Sequence, residues 1–282
     1  MKNRRNFLIS GSSIALASAL LPLSGCMSQA RTAKAGVGVQ IYSVRDALKA
    51  DFHGTMEKVA NIGYKYIEAY DLAINGSLFG MPPADYKKVV DDLGMSVVSS
   101  HSTYFTPGQA EGVLEAAQEA GLKYVIVPWL GNELRQDYSA VAENLNKVGE
   151  VFKGSGVQLG YHNHDFEFKK QNGQIPLEIM LQNTEPDLVT FQADLYWVTR
   201  GGMNPMDLIS KYPGRFSSFH IKDSDTALEQ TTVGTGIIDF ETILKEKQLS
   251  GWEYYFVEDE RRGDPFANLE AAFNYLNTAD FV

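Results

Sequence analysis

Short runs of β-branched and aromatic residues alternate along the chain with longer stretches of amphipathic character. Eight short runs have the composition of buried strands. They read "VGVQIYSV", "YKYIEAY", "MSVVSSHS", "KYVIVPWL", "VQLGYHNHDFEF", "LVTFQADLYWV", "RFSSFHIKD" and "WEYYFVEDE". In the longer stretches apolar residues recur with spacings of three and four residues. Glycine often follows the last apolar residue, as in "PGQAEGVLEAAQEAG". The pattern predicts eight strands, each followed by a helix.

The number and order of these elements predict the fold class. Eight β-α units in about 250 residues match the size of a single (β/α)8 TIM barrel. A doubly wound open sheet usually carries a glycine-rich phosphate turn after its first strand, and here that turn reads "IYSVRD". No shift in composition marks a second domain. We therefore predict one closed barrel over residues 36–282.

Ionisable residues concentrate where the predicted strands end. Four of the five histidines fall there, and His53 alone lies in a predicted helix. The strand-end residues are Glu68, His101, His162, His164, Glu167, Asp194, His220 and Glu258. In a parallel barrel the active site lies at the carboxyl ends of the strands, so these residues are candidates for chemistry.

The first 35 residues have a different character from the rest. Arg4 and Arg5 precede an apolar run that is shorter than the roughly 20 residues of a membrane span, and "LSGC" follows. This arrangement resembles a twin-arginine signal joined to a lipoprotein signal. We expect residues 1–25 to be a signal peptide and residues 26–35 a linker that begins with a lipidated Cys26. An ordinary secretory signal with an incidental cysteine is the alternative.

Charge and cysteine content narrow the possible partners. The whole chain carries a formal charge of -10, and its predicted signal peptide contributes three cations, so the exported protein is more acidic still. Such a surface repels nucleic acid phosphates, and nucleic acid is not an expected partner. Cys26 is the single cysteine, so a disulfide cannot stabilise the barrel. The expected membrane contact is the lipid anchor alone.

The strand-end residues supply carboxylate oxygens and imidazole nitrogens without a thiolate. A set of Glu, Asp, His and Glu suits one divalent metal ion, namely Mn²⁺, Mg²⁺, Co²⁺ or Zn²⁺. Such an ion polarises a carbonyl and acidifies the neighbouring C–H bond. A carboxylate can then move the proton, which predicts acid/base chemistry on a carbohydrate.

From "VGVQIYSVRD" to "FVEDE" the chain resembles the xylose isomerase-like TIM barrel superfamily, in its sugar phosphate isomerase/epimerase group. The fragments "HDFE", "QAD", "FHIKD" and "FVE" carry the resemblance, together with "TVGTGIIDF" after strand seven. It implies a metal held by Glu167, Asp194, His220 and Glu258. The two glutamates, Glu167 and Glu258, are then the candidate catalytic bases.

Other strand-end residues are expected to contact substrate. Trp197 stands where many sugar epimerases have a histidine, three residues after the strand-six aspartate. Strand alternation places 162 and 164 on one face and 167 on the other, so only an irregular strand end turns Glu167 inward. The expected substrate contacts are Glu68, His101, His162, His164, Trp197 and Lys222. Partners for these side chains within the protein, such as Asp223 for Lys222, are the structural alternative.

Three functions fit these expectations. The first is a metal-dependent sugar isomerase or epimerase that forms an enediolate, located in the cell envelope or periplasm. The second is a lyase or hydratase acting on 3-keto-glycosides, which uses the same C–H acidification and suits an exported protein. The third is a carbohydrate-binding lipoprotein without catalysis, which has no need of four aligned ligands. A DNA-repair endonuclease on the same barrel is disfavoured by the acidic charge and the few histidines.

Overall fold

The computed structural model describes residues 36–261 and 263–281. The predicted signal peptide, the linker and Cys26 lie outside these residues. Among the helices described here, none is both long and apolar enough to cross a membrane.

Eight parallel strands close into one barrel, which confirms the predicted (β/α)8 fold. The barrel strands are β1 Gly38–Gln40, β2 Tyr66–Leu72, β3 Ser96–Ser102, β4 Tyr124–Val127, β5 Gln158–His162, β6 Val189–Asp194, β7 Phe216–Ile221 and β10 Tyr254–Val257. Neighbouring strands follow the order β1-β10-β7-β6-β5-β4-β3-β2 around the barrel. A separate antiparallel pair, β8 Asp223–Ser224 and β9 Gln230–Thr231, follows β7. The sequence pattern did not predict this pair.

Helices surround the barrel, and several of them begin or end with residues that are typical of helix caps. They are α1 Arg45–Ala50, α2 Phe52–Ile62, α3 Pro83–Asp92, α4 Pro107–Glu119, α5 Tyr138–Phe152, α6 Pro176–Asn183, α7 Leu195–Arg200, α8 Pro205–Lys211, α9 Phe240–Lys245, α10 Lys247–Ser250 and α11 Pro265–Thr278. Asp137 caps α5 by accepting the Ala140 N–H, and Gly63 ends α2 with a φ of 119°. Proline opens several of these helices, where its missing N–H costs nothing.

Several predicted strands, strands five and six among them, end earlier than their sequence runs suggested. Strand six stops at Asp194, because this carboxylate accepts the Trp197 N–H and caps α7. Strand five stops at His162, and residues Phe166–Phe168 form a turn of 3₁₀ helix. Both corrections have the same cause, since polar side chains at the barrel mouth satisfy backbone groups that a longer strand would pair.

Asp223 organises the loop that follows the β8–β9 pair. Its carboxylate accepts N–H groups from Gly234, Gly236 and Ile238 at 3.0, 2.9 and 3.3 Å. A Cβ on Gly236 would lie 2.3 Å from Asp223 Oδ1, so only glycine permits this approach. Asp223 therefore holds "TVGTGIIDF" in place, and the suggested pairing with Lys222 gives way to other partners.

Candidate metal centre and active site

Four ligand-type side chains meet at the carboxyl end of the barrel. His162 and Asp194 end β5 and β6, His220 lies beside Asp194 in β7, and Glu258 directly follows β10. Each offers one ligand atom, and these atoms all lie within 4.8 Å of one another. Strand alternation explains the convergence, because these positions share the inward phase of their strands. We call these four residues the donor group.

The donor group is buried and only partly satisfied by protein contacts. His220 Nδ1 lies 3.0 Å from Glu258 Oε2 and 3.6 Å from Asp194 Oδ2, and His162 Nε2 lies 3.4 Å from the same Asp194 oxygen. Among the described residues, Asp194 Oδ2 and both ring nitrogens of His162 are buried without a hydrogen bond, and the contacts of Asp194 Oδ2 are ion-pair contacts with His162, His220 and Lys222. Buried polar atoms of this kind normally have a partner, so the residues present fit a bound metal ion.

Glu68 lies beneath the donor group and fixes His220. Its carboxylate accepts hydrogen bonds from Gln40 Nε2 at 2.9 Å, Ser99 Oγ at 2.6 Å and Gln192 Nε2 at 2.7 Å. His220 Nε2 lies 2.5 Å from Glu68 Oε1. One ring nitrogen of His220 is thus held by Glu68, and the other faces the donor group. A carboxylate behind a metal-binding histidine orients the ring in this way.

Burial and neighbouring charge set the ionisation of this layer. Burial by itself raises the pKa of Glu68, but the imidazoles of His101 and His220 outweigh it and hold the pKa well below the usual range. Burial lowers the pKa of His220, yet Glu258 and Glu68 outweigh it and raise the pKa well above its usual value. The buried carboxylates therefore stay ionised and attract cations.

Lys222 is fully buried among the carboxylates. Its Nζ lies 2.7 Å from Glu258 Oε2, 3.1 Å from Asp194 Oδ2 and 2.9 Å from Glu260 Oε1. Burial lowers the pKa of this lysine, but Asp194 and Glu258 outweigh burial and raise it well above the ordinary value. Lys222 remains a cation and places a positive charge beside the donor group.

Glu167 lies outside the donor group, so the prediction that it ligates the metal does not fit the geometry of these four residues. Its carboxylate accepts the Tyr161 hydroxyl at 2.5 Å and the His164 N–H at 2.8 Å. Tyr161 precedes His162 in β5, so its side chain takes the opposite face, toward the helices. The 3₁₀ turn buries Glu167 on that outer face. His162 occupies the strand-five position in the donor group instead.

A cavity of 480 Å³ opens above the donor group. Its polar lining residues are His101, His162, His164, Asp165, Glu258 and Glu260, and its aromatic ones include Tyr42, Tyr70, Trp129, Phe166 and Trp197. The volume and the mixed lining are typical of small-molecule sites. His164 is neutral there, because burial lowers its pKa to about 2.

The structure separates the predicted substrate contacts into two groups. His101, His162, His164 and Trp197 line the cavity. Glu68 and Lys222 are fully buried and hydrogen-bonded within the protein, so direct substrate contact does not fit the geometry of Glu68. Glu68 and His101 are instead partners, with 3.3 Å between Oε1 and Nε2.

Sequence reasoning missed two residues that support or line the site. Glu260 lines the cavity and receives a hydrogen bond from Lys222, but its position within "EDERRGD" made it resemble a solvated loop residue. Gln192 joins His101, Glu68 and Ser218. Its place two residues before Asp194 put it on the same face of β6, and that spacing was the available signal.

The structure is a TIM barrel whose strand ends bring together residues that could hold a metal ion. The chain belongs to the xylose isomerase-like TIM barrel family, whose model matches residues 56–279. A solved sugar phosphate isomerase/epimerase from Parabacteroides distasonis is 30% identical, with a TM-score of 0.79 over 93% of this chain and 100% of that chain. The family resemblance is thereby confirmed.

Two similar proteins are inosose dehydratases. One, from Lacticaseibacillus casei, is 21% identical over 272 residues, 80% of this chain and 89% of that protein. For the other, from Clostridium beijerinckii, the match is 26% identical over 163 residues and spans only 54% of the relative and 50% of this chain. Members of the family thus include carbohydrate-acting enzymes of more than one reaction class.

More distant solved structures share the fold. A 3-keto-D-glucoside 4-epimerase from E. coli is 18% identical, with a TM-score of 0.65 over 87% of this chain and 100% of that chain. A barrel from Mycobacterium smegmatis at 14% identity was solved with magnesium, and another at 15% identity with zinc, with TM-scores of 0.63 and 0.65. They cover 86% of this chain and 95% and 96% of their own.

We predict that Glu167→Gln changes the pH dependence of stability. Burial raises the pKa of Glu167 to about 7 from 4.5, although the Tyr161 hydroxyl and the His164 N–H lower it in part. The folded protein therefore keeps this proton more tightly than the unfolded chain does. Its stabilising effect is full below pH 4.5 and is lost as pH rises toward 7.

Relative to Glu167→Gln, the wild type should lose up to about 3 kcal/mol of unfolding free energy across that pH window. Urea unfolding at a series of pH values measures this difference. Glu133→Gln, at an exposed position, is the control and should follow the wild-type profile. Parallel profiles for Glu167→Gln and the wild type would show that Glu167 does not titrate in this range.

Proposed function

We propose that this protein is a divalent-metal-dependent enzyme that removes a proton next to a carbonyl in a carbohydrate and forms an enediolate. Return of the proton makes the reaction an isomerisation or epimerisation. The observation that carries the proposal is the donor group of His162, Asp194, His220 and Glu258 within 4.8 Å at the floor of a cavity. The ring nitrogens of His162 make no hydrogen bond within the described part of the chain, which supports a ligand role for this side chain.

The donor group would hold the metal ion, with His162 in the place first expected for Glu167. When bound, the ion supplies Lewis acidity that polarises a carbonyl and makes the adjacent C–H more acidic. Two imidazoles and two carboxylates favour Mn²⁺, Co²⁺ or Zn²⁺ over Mg²⁺, which prefers oxygen ligands. Asp194 and Glu258 would also balance the charge of the ion.

Glu260 is the proton carrier that we propose for the cavity wall. It lies outside the donor group, lines the cavity and receives a hydrogen bond from Lys222. Burial raises its pKa, with the charge of Lys222 acting in the opposite sense. A carboxyl group of raised pKa suits transfer of a proton to and from carbon near neutral pH. Lys222 would stabilise negative charge on the enediolate oxygens.

A dehydratase or lyase is the second candidate, and two observations favour it. Both of the curated relatives described above are inosose dehydratases. The cavity also carries His101 besides Glu260, which gives separate groups for taking a proton from carbon and protonating a departing hydroxyl or alkoxy group. This candidate begins with the same proton abstraction, so the shared first step is the central proposal.

The export expectation belongs to the proposal as well. The twin arginines, the apolar run and "LSGC" support a lipoprotein signal ending before Cys26. An enzyme anchored in the cell envelope would meet glycosides before their uptake. This location suits a keto-glycoside substrate better than a sugar phosphate.

The metal assignment predicts distinct effects at neighbouring positions. Purified protein should contain about one divalent ion per chain. His162→Asn and His220→Asn should each lower metal affinity by more than about tenfold, because each removes a nitrogen ligand. Glu167→Gln should leave it unchanged. Elemental analysis and chelator competition measure both quantities.

His53→Asn, at an exposed position in α2, is the matched histidine control for these metal measurements. Circular dichroism checks the fold of each variant. Loss of the ion in Glu167→Gln with retention in His162→Asn would return the ligand role to Glu167. Protein that takes up no divalent ion at all would exclude the metal-dependent mechanism.

The proton-transfer assignment predicts solvent exchange. In D₂O the metal-loaded protein should introduce deuterium next to the carbonyl of 3-ketoglucose or of a simple ketose, as seen by ¹H NMR. Glu260→Gln should keep the metal and slow exchange by about 10²–10⁴-fold. Glu270→Gln, at an exposed position in α11, is the control.

The products of the exchange experiment separate the two candidate reactions. A deuterated isomer or epimer identifies the isomerase, whereas an unsaturated ketone and a released hydroxyl or alkoxy compound identify the dehydratase or lyase. Bound metal without exchange on any carbonyl sugar would refute both readings.

The anchor predicts where the chain fractionates. Cys26→Ser should shift the protein from the membrane fraction to the soluble fraction, because the acylated residue is removed. Detergent phase partitioning and the mass of the N-terminal peptide provide the readouts. Unchanged partitioning of the variant would contradict lipidation at this residue.

A further inference from the structure

Trp129 is a large aromatic side chain that the fold leaves 51% exposed. It follows β4 and lines the mouth of the cavity above the donor group. Burying an indole stabilises a fold, so an exposed indole held in fixed geometry at a cavity is typical of a binding surface. The contacts of Trp129 therefore show whether its indole is held in a fixed position.

Arg135 and Phe166 hold the indole in place. The guanidinium of Arg135 lies 3.4 Å from the ring centroid of Phe166 and 4.1 Å from that of Trp129. Its Nε donates a hydrogen bond to the Leu130 carbonyl at 2.7 Å, which anchors it to the same loop. Trp129 and Phe166 also meet edge to face, with centroids 5.0 Å apart. We call Trp129, Arg135 and Phe166 the aromatic rim.

The aromatic rim lies close to the donor group. His162 belongs to the donor group, and its ring centroid is 4.9 Å from that of His164. The His164 ring in turn lies 4.9 Å from Trp129 and 5.6 Å from Phe166. One imidazole thus separates the donor group from the rim. A group directly attached to a reacting sugar ring would reach this far.

The size of the cavity supports an extended ligand. At 480 Å³ it lies in the range of sites for drug-sized molecules and exceeds what one sugar ring fills. Polar groups concentrate at its floor, and aromatic side chains at its mouth. A ligand with one hydroxyl-rich end and one flat apolar face matches this distribution.

We propose that the aromatic rim is a subsite for the aglycone of a glycoside, which makes the substrate a keto-glycoside and not a free sugar or sugar phosphate. This inference rests on the proposed carbohydrate chemistry at the donor group. The aglycone presents a flat apolar face to Trp129, either an aromatic ring or the C–H face of a second sugar. Arg135 preorganises the rim, so little side-chain freedom is lost on binding.

The test compares ligands that differ only in the aglycone. Methyl β-D-glucoside, phenyl β-D-glucoside and cellobiose are titrated into the metal-loaded protein by calorimetry. Phenyl glucoside or cellobiose should bind about tenfold more tightly than the methyl glucoside, the scale of one well-oriented aromatic contact. Whichever of the two shows the preference identifies an aromatic or a sugar aglycone.

Variants assign the preference to the rim. Trp129→Ala should abolish this preference, and Trp129→Phe should keep part of it. Arg135→Met should weaken it by loosening the indole. Ile237→Ala, which removes another exposed hydrophobic side chain (49% exposed), is the control and should bind like the wild type.

Deuterium exchange on 3-ketoglucose, measured on the same preparations, separates this inference from the proposed function. Exchange by the wild type, together with loss of the aglycone preference in Trp129→Ala, supports both. A rim-dependent preference without exchange supports the subsite and refutes the proposed reaction. Equal affinities for the three ligands in the wild type, or a preference that survives in Trp129→Ala, would overturn the subsite.

Discussion

The site depends on the hydrogen bonds of one buried carboxylate, that of Glu68. It is fully enclosed in the barrel, and a lone ionised carboxylate would be prohibitively costly there. Gln40, Ser99 and Gln192 satisfy it from three strands, and His220 completes the set. Because His220 is held from below, its other nitrogen faces the donor group. The polar layer inside the barrel therefore supports the chemistry above it.

The charges above Glu68 form a network in which buried carboxylates are paired with the cation of Lys222. Asp194 and Glu258 are buried, and Lys222 lies within 3.1 Å of one oxygen of each. Removing one partner from such a network leaves an uncompensated buried charge, which is far more costly than loss of a surface ion pair. Lys222 offsets part of the negative charge of Asp194 and Glu258, and the closed barrel keeps these carboxylates close together despite their repulsion.

The alternation of apolar runs and amphipathic stretches was enough to predict the closed barrel. An apolar run indicates a strand that is buried on both faces, and an amphipathic stretch indicates a helix that is buried on one face. Element ends were harder to predict. Strand six was extended through "DLYWV", yet Asp194 caps a helix there through the Trp197 N–H. The β8–β9 pair was also not predicted. Its stability comes from Asp223, which accepts the N–H groups of Gly234 and Gly236 in a loop farther along the chain. Contacts between residues far apart in sequence leave little local pattern.

The order of residues along the chain determined the barrel, the polar strand ends and the acidic charge. It also marked Asp194, His220 and Glu258 as ligand candidates, since each stands where a predicted strand ends. Only the tertiary structure decided which residue of strand five belongs to the donor group. His162 and Glu167 are equally polar, and their roles depend on where β5 stops and turns. The 3₁₀ turn places Glu167 against Tyr161 on the outer face and leaves His162 with Asp194 and His220. A side chain's direction at a strand end follows from backbone geometry, which the local sequence does not specify.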